Sequence, residues 1–434
     1  MKKFKVATLG CRTNQYESQG YADQLRQMGY TLAKEGEEAD LCIINTCTVT
    51  EGADRSSRHE VRLALRDHPN AKVMVTGCMA ESAADALQQM DARIQIVPNR
   101  EKESLIDKVF PEEENLPEFN IQAFDAHTRA FVKVQDGCNS FCTYCIIPYV
   151  RGRSRSRPIG EIVKEVEGLI ANGYKEIVLT GINVGDFEDG GKKLADLVRT
   201  VDAIPGLHRL RISSIDPDEV DEDLADAVLH GKTTCPSMHI VLQAGSNVTL
   251  KRMNRKYTRQ IFIETVEKMV AQNPDFTVTT DVIVGFPGET EGDFEETLEM
   301  IERVQFAKVH MFPSSVRKRT RAALYPHIVS ALIIAERKQR LLRCAEKNAF
   351  ALRNRFIGRT MSVLLENETK PGYIAGHTAN FLRVWVPAGS IQPNTLIDVQ
   401  IVGNEPDGLV GYENSHCSKA QAVLAHAGHE LRHP

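Results

Sequence analysis

Residues 137–145 read Gly137-Cys138-Asn139-Ser140-Phe141-Cys142-Thr143-Tyr144-Cys145. Three thiols stand at the spacing Cys-x3-Cys-x2-Cys, with an aromatic residue before the third. Three thiolates in one short loop can hold three irons of a cubane cluster and leave the fourth iron open. A closed zinc or electron-transfer site would show four ligands. No fourth Cys or His follows at metal-finger distance, which argues against zinc. A set of three unrelated core cysteines is the plain alternative.

The loop follows an apolar run, Ala130–Gln135, and five similar runs come after it with helical patterns between them. They are Glu176–Thr180, Arg209–Ser213, His239–Leu242, Thr277–Val284 and Lys308–Phe312. Six β/α units over residues 128–354 predict an open partial barrel. Chemistry in such barrels gathers at the C-terminal ends of the strands, where the three-cysteine loop lies.

Residues 1–110 also alternate strand and helix. Lys5–Gly10, Leu41–Asn45 and Lys72–Gly77 read as strands, Gln15–Gly29 and Thr50–His68 as amphipathic helices. The pattern predicts a small parallel α/β sheet. Each strand is followed by a thiol: Cys11, Cys47 and Cys78. Loops after parallel strands share one sheet edge, so these three can converge on a second open cluster. Gly10 and Gly77 precede two of them, which suits close backbone approach. Cys is also a common core residue, and Cys42, inside Leu41–Ile44, reads that way. Cys235, Cys344 and Cys417 have no partner pattern.

Residues 111–127 are acidic, carry two prolines and lack periodicity, so they read as a linker. Residues 355–420 change character. Met361–Glu366, Phe381–Val386 and Leu396–Val402 are short strands separated by Gly, Pro and Asn, as in a small all-β barrel. The Ala/His-rich stretch from Ser418 reads as a tail over residues 421–434.

The 434 residues are 42% hydrophobic and 26% charged, ordinary for a globular protein. No apolar run has transmembrane length, and the first residues lack a signal-peptide core. The expectation is a cytoplasmic protein with no membrane partner. Ten cysteines there point to metal or redox chemistry. Net charge is −5, so a nucleic-acid partner must be met by local basic strips. Three exist: Arg151, Arg153, Arg155 and Arg157; Lys251, Arg252, Arg255 and Lys256; and Arg317, Lys318, Arg319 and Arg321. Most charge runs are solvated faces, but three at one predicted barrel end favour a polyanion. Trp385 and Phe381 suit either base stacking or core packing.

These motifs, with their order, carry a resemblance. Leu9-Gly10-Cys11, Asn14-Gln15-Tyr16-Glu17-Ser18, Asn45-Thr46-Cys47-Thr48-Val49-Thr50, Gly77-Cys78 and Gly137 to Arg153 are joined by Met253 to Tyr257 and Asp281 to Glu289. Over nearly its whole length the chain resembles the radical S-adenosylmethionine (SAM) methylthiotransferases. The spelling of the first pieces is most similar to the branch acting on threonylcarbamoyladenosine of tRNA. Arg12-Thr13 stands where that branch more often has Lys-Val. Phe312–Thr320 is more basic than its usual Tyr-Ser-Pro-Arg-Pro-Gly-Thr.

The resemblance implies an α/β protein with an N-terminal methylthiotransferase domain, a radical SAM (β/α)6 partial barrel and a C-terminal TRAM β-barrel. It implies two [4Fe–4S] clusters, on Cys138, Cys142 and Cys145 and on Cys11, Cys47 and Cys78. One SAM gives a methyl group to sulfur at the N-terminal cluster. A second is reductively cleaved, and its radical takes hydrogen from C2 of adenosine 37 in the anticodon region of tRNA. SAM contacts are expected from Tyr144, Thr180, Gly181, Ser213, Ser214, Gln243, Ser246, Ile283 and Gly285, all at strand ends or in the cluster loop. Tyr144 would pack by its adenine. RNA contacts are expected from Arg151, Arg153, Arg157, Arg255, Lys256, Arg317 and Arg319. A one-electron donor protein and a sulfur source are also required, neither identified by the sequence. Alternatives are the sister enzymes for isopentenyladenosine tRNA or a ribosomal-protein aspartate. A non-catalytic iron–sulfur protein that binds RNA or carries electrons is the reading from another class.

Overall fold

The computed structural model describes residues 2–124, 128–389 and 391–414. The expected tail and Cys417 lie outside the described residues. No described helix is long and apolar enough to cross a membrane.

The N-terminal sheet has five parallel strands: β1 (Lys3–Thr8), β2 (Thr31–Leu32), β3 (Leu41–Thr46), β4 (Lys72–Gly77) and β5 (Ile94–Ile96), in the order β2-β1-β3-β4-β5. The sequence reading found three of them. The other two are only two and three residues long, too short to show a period. All six residues of β3 are buried, as a central parallel strand requires. Helices α1 (Arg12–Gln27) and α2 (Glu51–Asp67) flank the sheet. Thr50 caps α2 by accepting from the Ala53 amide. Cys11 holds the equivalent position on α1 and makes no such bond. A good helix start would use Ser, Thr, Asp or Asn, so the thiol is not there to begin the helix.

Gly77 has φ +90°, and a Cβ on it would lie 2.4 Å from the Thr46 carbonyl oxygen. Gly77→Ala is therefore expected to cost about 3 kcal/mol, from left-handed strain plus a backbone clash. Denaturant midpoints at constant slope would show it. A change within error would remove the steric role given to this glycine.

The barrel strands are β6 (Arg129–Lys133), β7 (Glu176–Thr180), β8 (Arg209–Ile212), β9 (Ser237–His239), β10 (Thr277–Val284) and β11 (Lys308–Pro313). They pair as two parallel sheets, β6-β7-β8 and β9-β10-β11. Single parallel bridges, Leu210 to Thr234 and Ile215 to Ile240, join the two. No ladder links β6 to β11, so the barrel is open there, and α1 packs against β6 at that side. The fourth strand ends at His239, not Leu242. Beyond it Gln243 turns to φ +61° and keeps one bridge to Val282. Ala130, Val132, Ile177, Leu179, Leu210, Ile212, Met238, Val278 and Val282 belong to the large core. The alternate residues face the lumen, and many are charged.

Helix α3 (Ala331–Asn354) leads to a closed five-stranded barrel. Its strands are β12 (Thr360–Lys370), β13 (Tyr373–Thr378), β14 (Arg383–Pro387), β15 (Leu396–Glu405) and β16 (Gly408–Glu413), in the order β12-β13-β14-β16-β15. The sequence reading missed β13 and β16, whose glycines blur the alternation. This barrel caps the N-terminal ends of the six central strands. Arg209 donates to the His377 and Ser362 carbonyls, Arg211 to Thr378 and Ala379.

Residues 111–124 hold no helix or strand, yet they are packed. Ile121 and Phe124 are buried. The Phe119 ring occupies the space that a side chain at Gly20 would need, and Gln24 donates to the Pro117 carbonyl.

Candidate functional site

The three-cysteine loop is stitched to the segment after β9. Thr143 donates through its amide to the Met253 carbonyl (3.0 Å) and through its hydroxyl to that of Arg252 (2.9 Å). Its own carbonyl accepts from the Ala322 amide. Gly137, at φ +73°, passes so close to Arg153 that a Cβ would meet its carbonyl oxygen at 2.1 Å. The Arg255 guanidinium donates to Cys142 Sγ at 2.8 Å and pairs with Asp216. Burial raises the Cys138 and Cys145 thiols, and charge on Cys142 raises both further. As thiolates, these two would need a cationic centre to hold them.

Cys11, Cys47 and Cys78 stand on one edge of the N-terminal sheet, as the strand order requires. A Cβ on Gly10 would come within 2.9 Å of Cys47 Sγ, so only glycine leaves room beside that thiol. Burial lifts Cys47 to about 11, with Cys78 and Cys11 adding to the rise. Asn14 fixes the edge by donating to the carbonyls of Leu9 (2.6 Å) and Thr46 (3.1 Å). The Thr46 hydroxyl accepts from the Met79 and Ala80 amides, and Ser57 donates to the Cys47 carbonyl.

The two thiol sets lie on either side of one small apolar cluster. Cys78 packs with Ile146, Ile147 and Val150, and Cys138 and Cys145 pack against the same group. Among the described residues, no three His, Cys, Asp or Glu side chains form a group suited to a single metal ion. Two sets of three thiols flanking one apolar group fit two open three-cysteine cluster sites.

A buried ion network clamps this arrangement. Arg151 donates to Asp136 (2.8 Å), Glu17 (3.1 Å) and Asn14. Lys102 pairs with Glu17 (2.6 Å) and Asp136. Glu17, Asn14 and Lys102 belong to the N-terminal domain, Asp136 and Arg151 to the barrel. Burial works against the charge on Glu17, but Arg151, Lys102 and Lys133 outweigh it and leave its carboxyl at about 2. The sequence reading missed Asn14, Glu17, Lys102 and Asp136 as a unit. Buried polar residues on α1 were the available signal, but Lys102 lies 85 residues from Glu17 and Arg151 lies 134.

The expected SAM residues divide. Tyr144 and Ile283 share an apolar cluster with Met253, Tyr257 and Phe286. Thr180 is buried at the end of β7, and Gly181 lies against Gln135, whose side chain accepts from the Ile182 and Asn183 amides. Ser213 and Ser214 follow β8. Gln243 keeps a buried Oε1 without a partner. One expectation needs correction. Ser246 is fully buried and donates to Asp293 (2.5 Å), so it anchors a helix start. Gly285 gives its amide to Glu289, and a Cβ on it would meet Ile334 of α3. Glu219, unforeseen, accepts from Asn183 (2.8 Å), and burial beside Asp216 lifts it to about 7.

The RNA expectations also need correction. Arg151 is an interior residue of the network above. Arg157 pairs with Glu165 (2.8 Å) and donates to Tyr16. Arg255 serves Cys142. Arg317 pairs with Asp54 of the N-terminal domain (2.5 Å). Sequence alternation with Gly and Ser resembles a solvated strip, but long-range carboxylates claim these side chains. Arg153, Lys256 and Arg319 remain exposed. Arg153 lies over the Phe141 ring (4.3 Å) and Arg319 over Tyr149 (5.5 Å). Trp385 is buried. Phe381 stacks on His377 and is flanked by Arg129 and Arg211. Trp385 therefore packs internally, while Phe381 is half-buried.

Comparison with known proteins supports the same reading. The Radical SAM superfamily matches residues 132–301, and Uncharacterized protein family UPF0004 matches residues 3–98. A threonylcarbamoyladenosine tRNA methylthiotransferase MtaB of Chlamydia pneumoniae is 50% identical, covering 94% of this chain and 97% of that protein. The chain belongs to the radical SAM methylthiotransferases. An MtaB of Thermotoga maritima is 35% identical over 88% of this chain and 91% of its own length. A tRNA-2-methylthio-N(6)-dimethylallyladenosine synthase of Cereibacter sphaeroides is 33% identical over 94% and 98%. Among solved structures, the radical SAM methyltransferase TsrM of Kitasatospora setae superposes with TM-score 0.52 at 14% identity, covering 86% of this chain and 81% of that one. That likeness supports the fold. As a radical SAM methylthiotransferase, this enzyme uses SAM and two [4Fe–4S] clusters.

Proposed function

We propose that this methylthiotransferase converts N6-threonylcarbamoyladenosine at position 37 of tRNA to its 2-methylthio derivative. The observation that carries the reading is the 50% identity, over nearly both full lengths, to an enzyme named for that nucleoside. Relatives named for the dimethylallyl nucleoside match at a lower level. Cys138, Cys142 and Cys145 would hold the cluster that meets SAM. Cys11, Cys47 and Cys78 would hold the second. Once loaded, the first cluster would pass the donor's electron to SAM for radical chemistry, and the second would carry the sulfur that SAM methylates. The chain contributes placement. Arg255 orients Cys142, the apolar cluster around Ile146 keeps water from the space between the thiol sets, and the Arg151 network fixes their separation. Tyr144 and Ile283 offer an apolar wall for the adenine of SAM. Thr180, Gly181, Ser213, Ser214 and Gln243 line the strand ends beside it. Arg153, Lys256 and Arg319 are the exposed cations for tRNA phosphates, with Tyr149 beside them for a base. The electron donor would be a separate protein of the cytoplasm, and the sulfur source another partner.

The test is mass spectrometry of tRNA nucleosides from cells lacking the gene and cells with it restored. The 2-methylthio-threonylcarbamoyl nucleoside should vanish and return, while other methylthio nucleosides stay constant. Persistence in the deletion strain, with no second enzyme for that site, would refute the assignment.

A further inference from the structure

Arg12 begins α1, immediately after Cys11, and reaches into the barrel lumen. Its guanidinium lies over the ring of Phe131, 5.6 Å from the centroid. The lumen around it is rich in charge, and nearly all of that charge is engaged. Glu176 is divided among Arg211 (2.7 Å), Arg209 (3.6 Å) and Arg129 (3.7 Å). Arg129 also pairs with Glu366 (2.8 Å), and the other two arginines donate to carbonyls of the C-terminal barrel. Asp281 faces His239 at 3.4 Å, and the His310 ring lies beside that of His239. Among the described residues, Arg12 alone of these arginines has neither a hydrogen bond nor an ion pair. It is partly accessible. Arg129 and Arg211 oppose its charge, and the nearby carboxylates of Glu176 and Asp281 favour it without pairing with it. A buried guanidinium with no direct partner is a costly arrangement, unless a ligand brings an anion into contact.

We infer that Arg12 receives the carboxylate of the threonine moiety on the substrate adenosine, and so selects this nucleoside over those with a neutral N6 substituent. The inference rests on the substrate reading above. The carboxylate of SAM is a poor candidate. SAM belongs at the C-terminal strand ends beside Cys138, Cys142 and Cys145. Phe131 lies inside β6, below that level. Position fits the substrate as well, since the neighbouring Cys11 belongs to the thiol set that would deliver sulfur. A guanidinium and a carboxylate match as a two-pronged pair. A site built for such a group rejects its uncharged analogue strongly, because the buried cation is then left unpaired.

The experiment uses the enzyme with both clusters and two anticodon stem-loops. One carries threonylcarbamoyladenosine, the other the same nucleoside with its carboxylate replaced by a carboxamide. Phosphate contacts are common to both loops and cancel in the ratio of dissociation constants. Wild type should favour the acid on the order of ten- to a hundredfold. Arg12→Gln should bring the ratio close to one, and Arg12→Lys should restore most of it. Equal weakening of both loops by Arg12→Gln, or an unchanged ratio, would overturn the inference in favour of a structural role. So would a wild type that methylthiolates the acid loop but binds both alike. A wild type that forms no methylthio product from the acid loop overturns the substrate reading itself, and the inference with it.

Discussion

Arg151→Met should lower the stability of the enzyme by about 3 kcal/mol at pH 7, because it leaves buried carboxylates without their main counter-ion. Lys102 stays within 2.6 Å of Glu17, which keeps the loss at the lower end of the range for broken buried pairs. Arg151→Lys should recover little of it. A single ammonium cannot reproduce the fork that serves Asp136, Glu17 and Asn14 together. The effect has a signed pH dependence. Glu17 is held at about 2 in the folded chain, against an ordinary value near 4.3. Its depressed pKa therefore adds stability that is present above that ordinary value and lost as pH falls toward about 2. The gap between wild type and Arg151→Met should narrow over that window. Denaturant unfolding of both proteins, measured in parallel from pH 7 to pH 3, checks this. A gap that stays constant would mean that Arg151 contributes through packing alone.

This network also marks how far the sequence could be read. The cysteine loops were legible because each follows a recognisable strand, and strand order alone brings three of them to one edge. The parallel sheet and the six-unit barrel came from short apolar runs with helices between them. Charge was read less well. Arg151, Arg157, Arg255 and Arg317 look like solvated strips when taken four or six residues at a time. Their partners, Glu17, Glu165, Asp216 and Asp54, are mostly far away in sequence. Local pattern cannot show which cation a distant carboxylate will claim. Ser246 failed for a related reason. A small residue at a strand end suits a ligand and a tight packing contact equally, and only the position of Asp293 decides between them. Arg12 stood out in the sequence only as a departure from the usual Lys, because a missing partner has no sequence signature.

Replacing Cys138, Cys142 and Cys145 together with alanine should remove half of the iron and sulfide and abolish release of 5′-deoxyadenosine. Replacing Cys11, Cys47 and Cys78 should also remove half, but through the other site. That variant should still cleave SAM while forming no methylthio product. The asymmetry follows from geometry. The two sets share the apolar cluster of Ile146, Ile147 and Val150, yet they hang from different sheets, and neither loop needs the other's thiols to hold its shape. Thr143 fastens one loop to Arg252 and Met253, and Asn14 and Thr46 fasten the other. Cys42 and Cys235 provide the control. Both are buried, and Cys42 sits within β3 in the apolar core of the N-terminal sheet. Alanine at either should cost some stability, of the order of 1 kcal/mol for the small volume lost, and leave the full iron content. Iron and sulfide analysis, with SAM cleavage and product formation assayed on the same preparations, separates the cases. Loss of all iron from one triple variant would mean that the two sites fold or load as one. Full iron in either would exclude its cysteines as ligands.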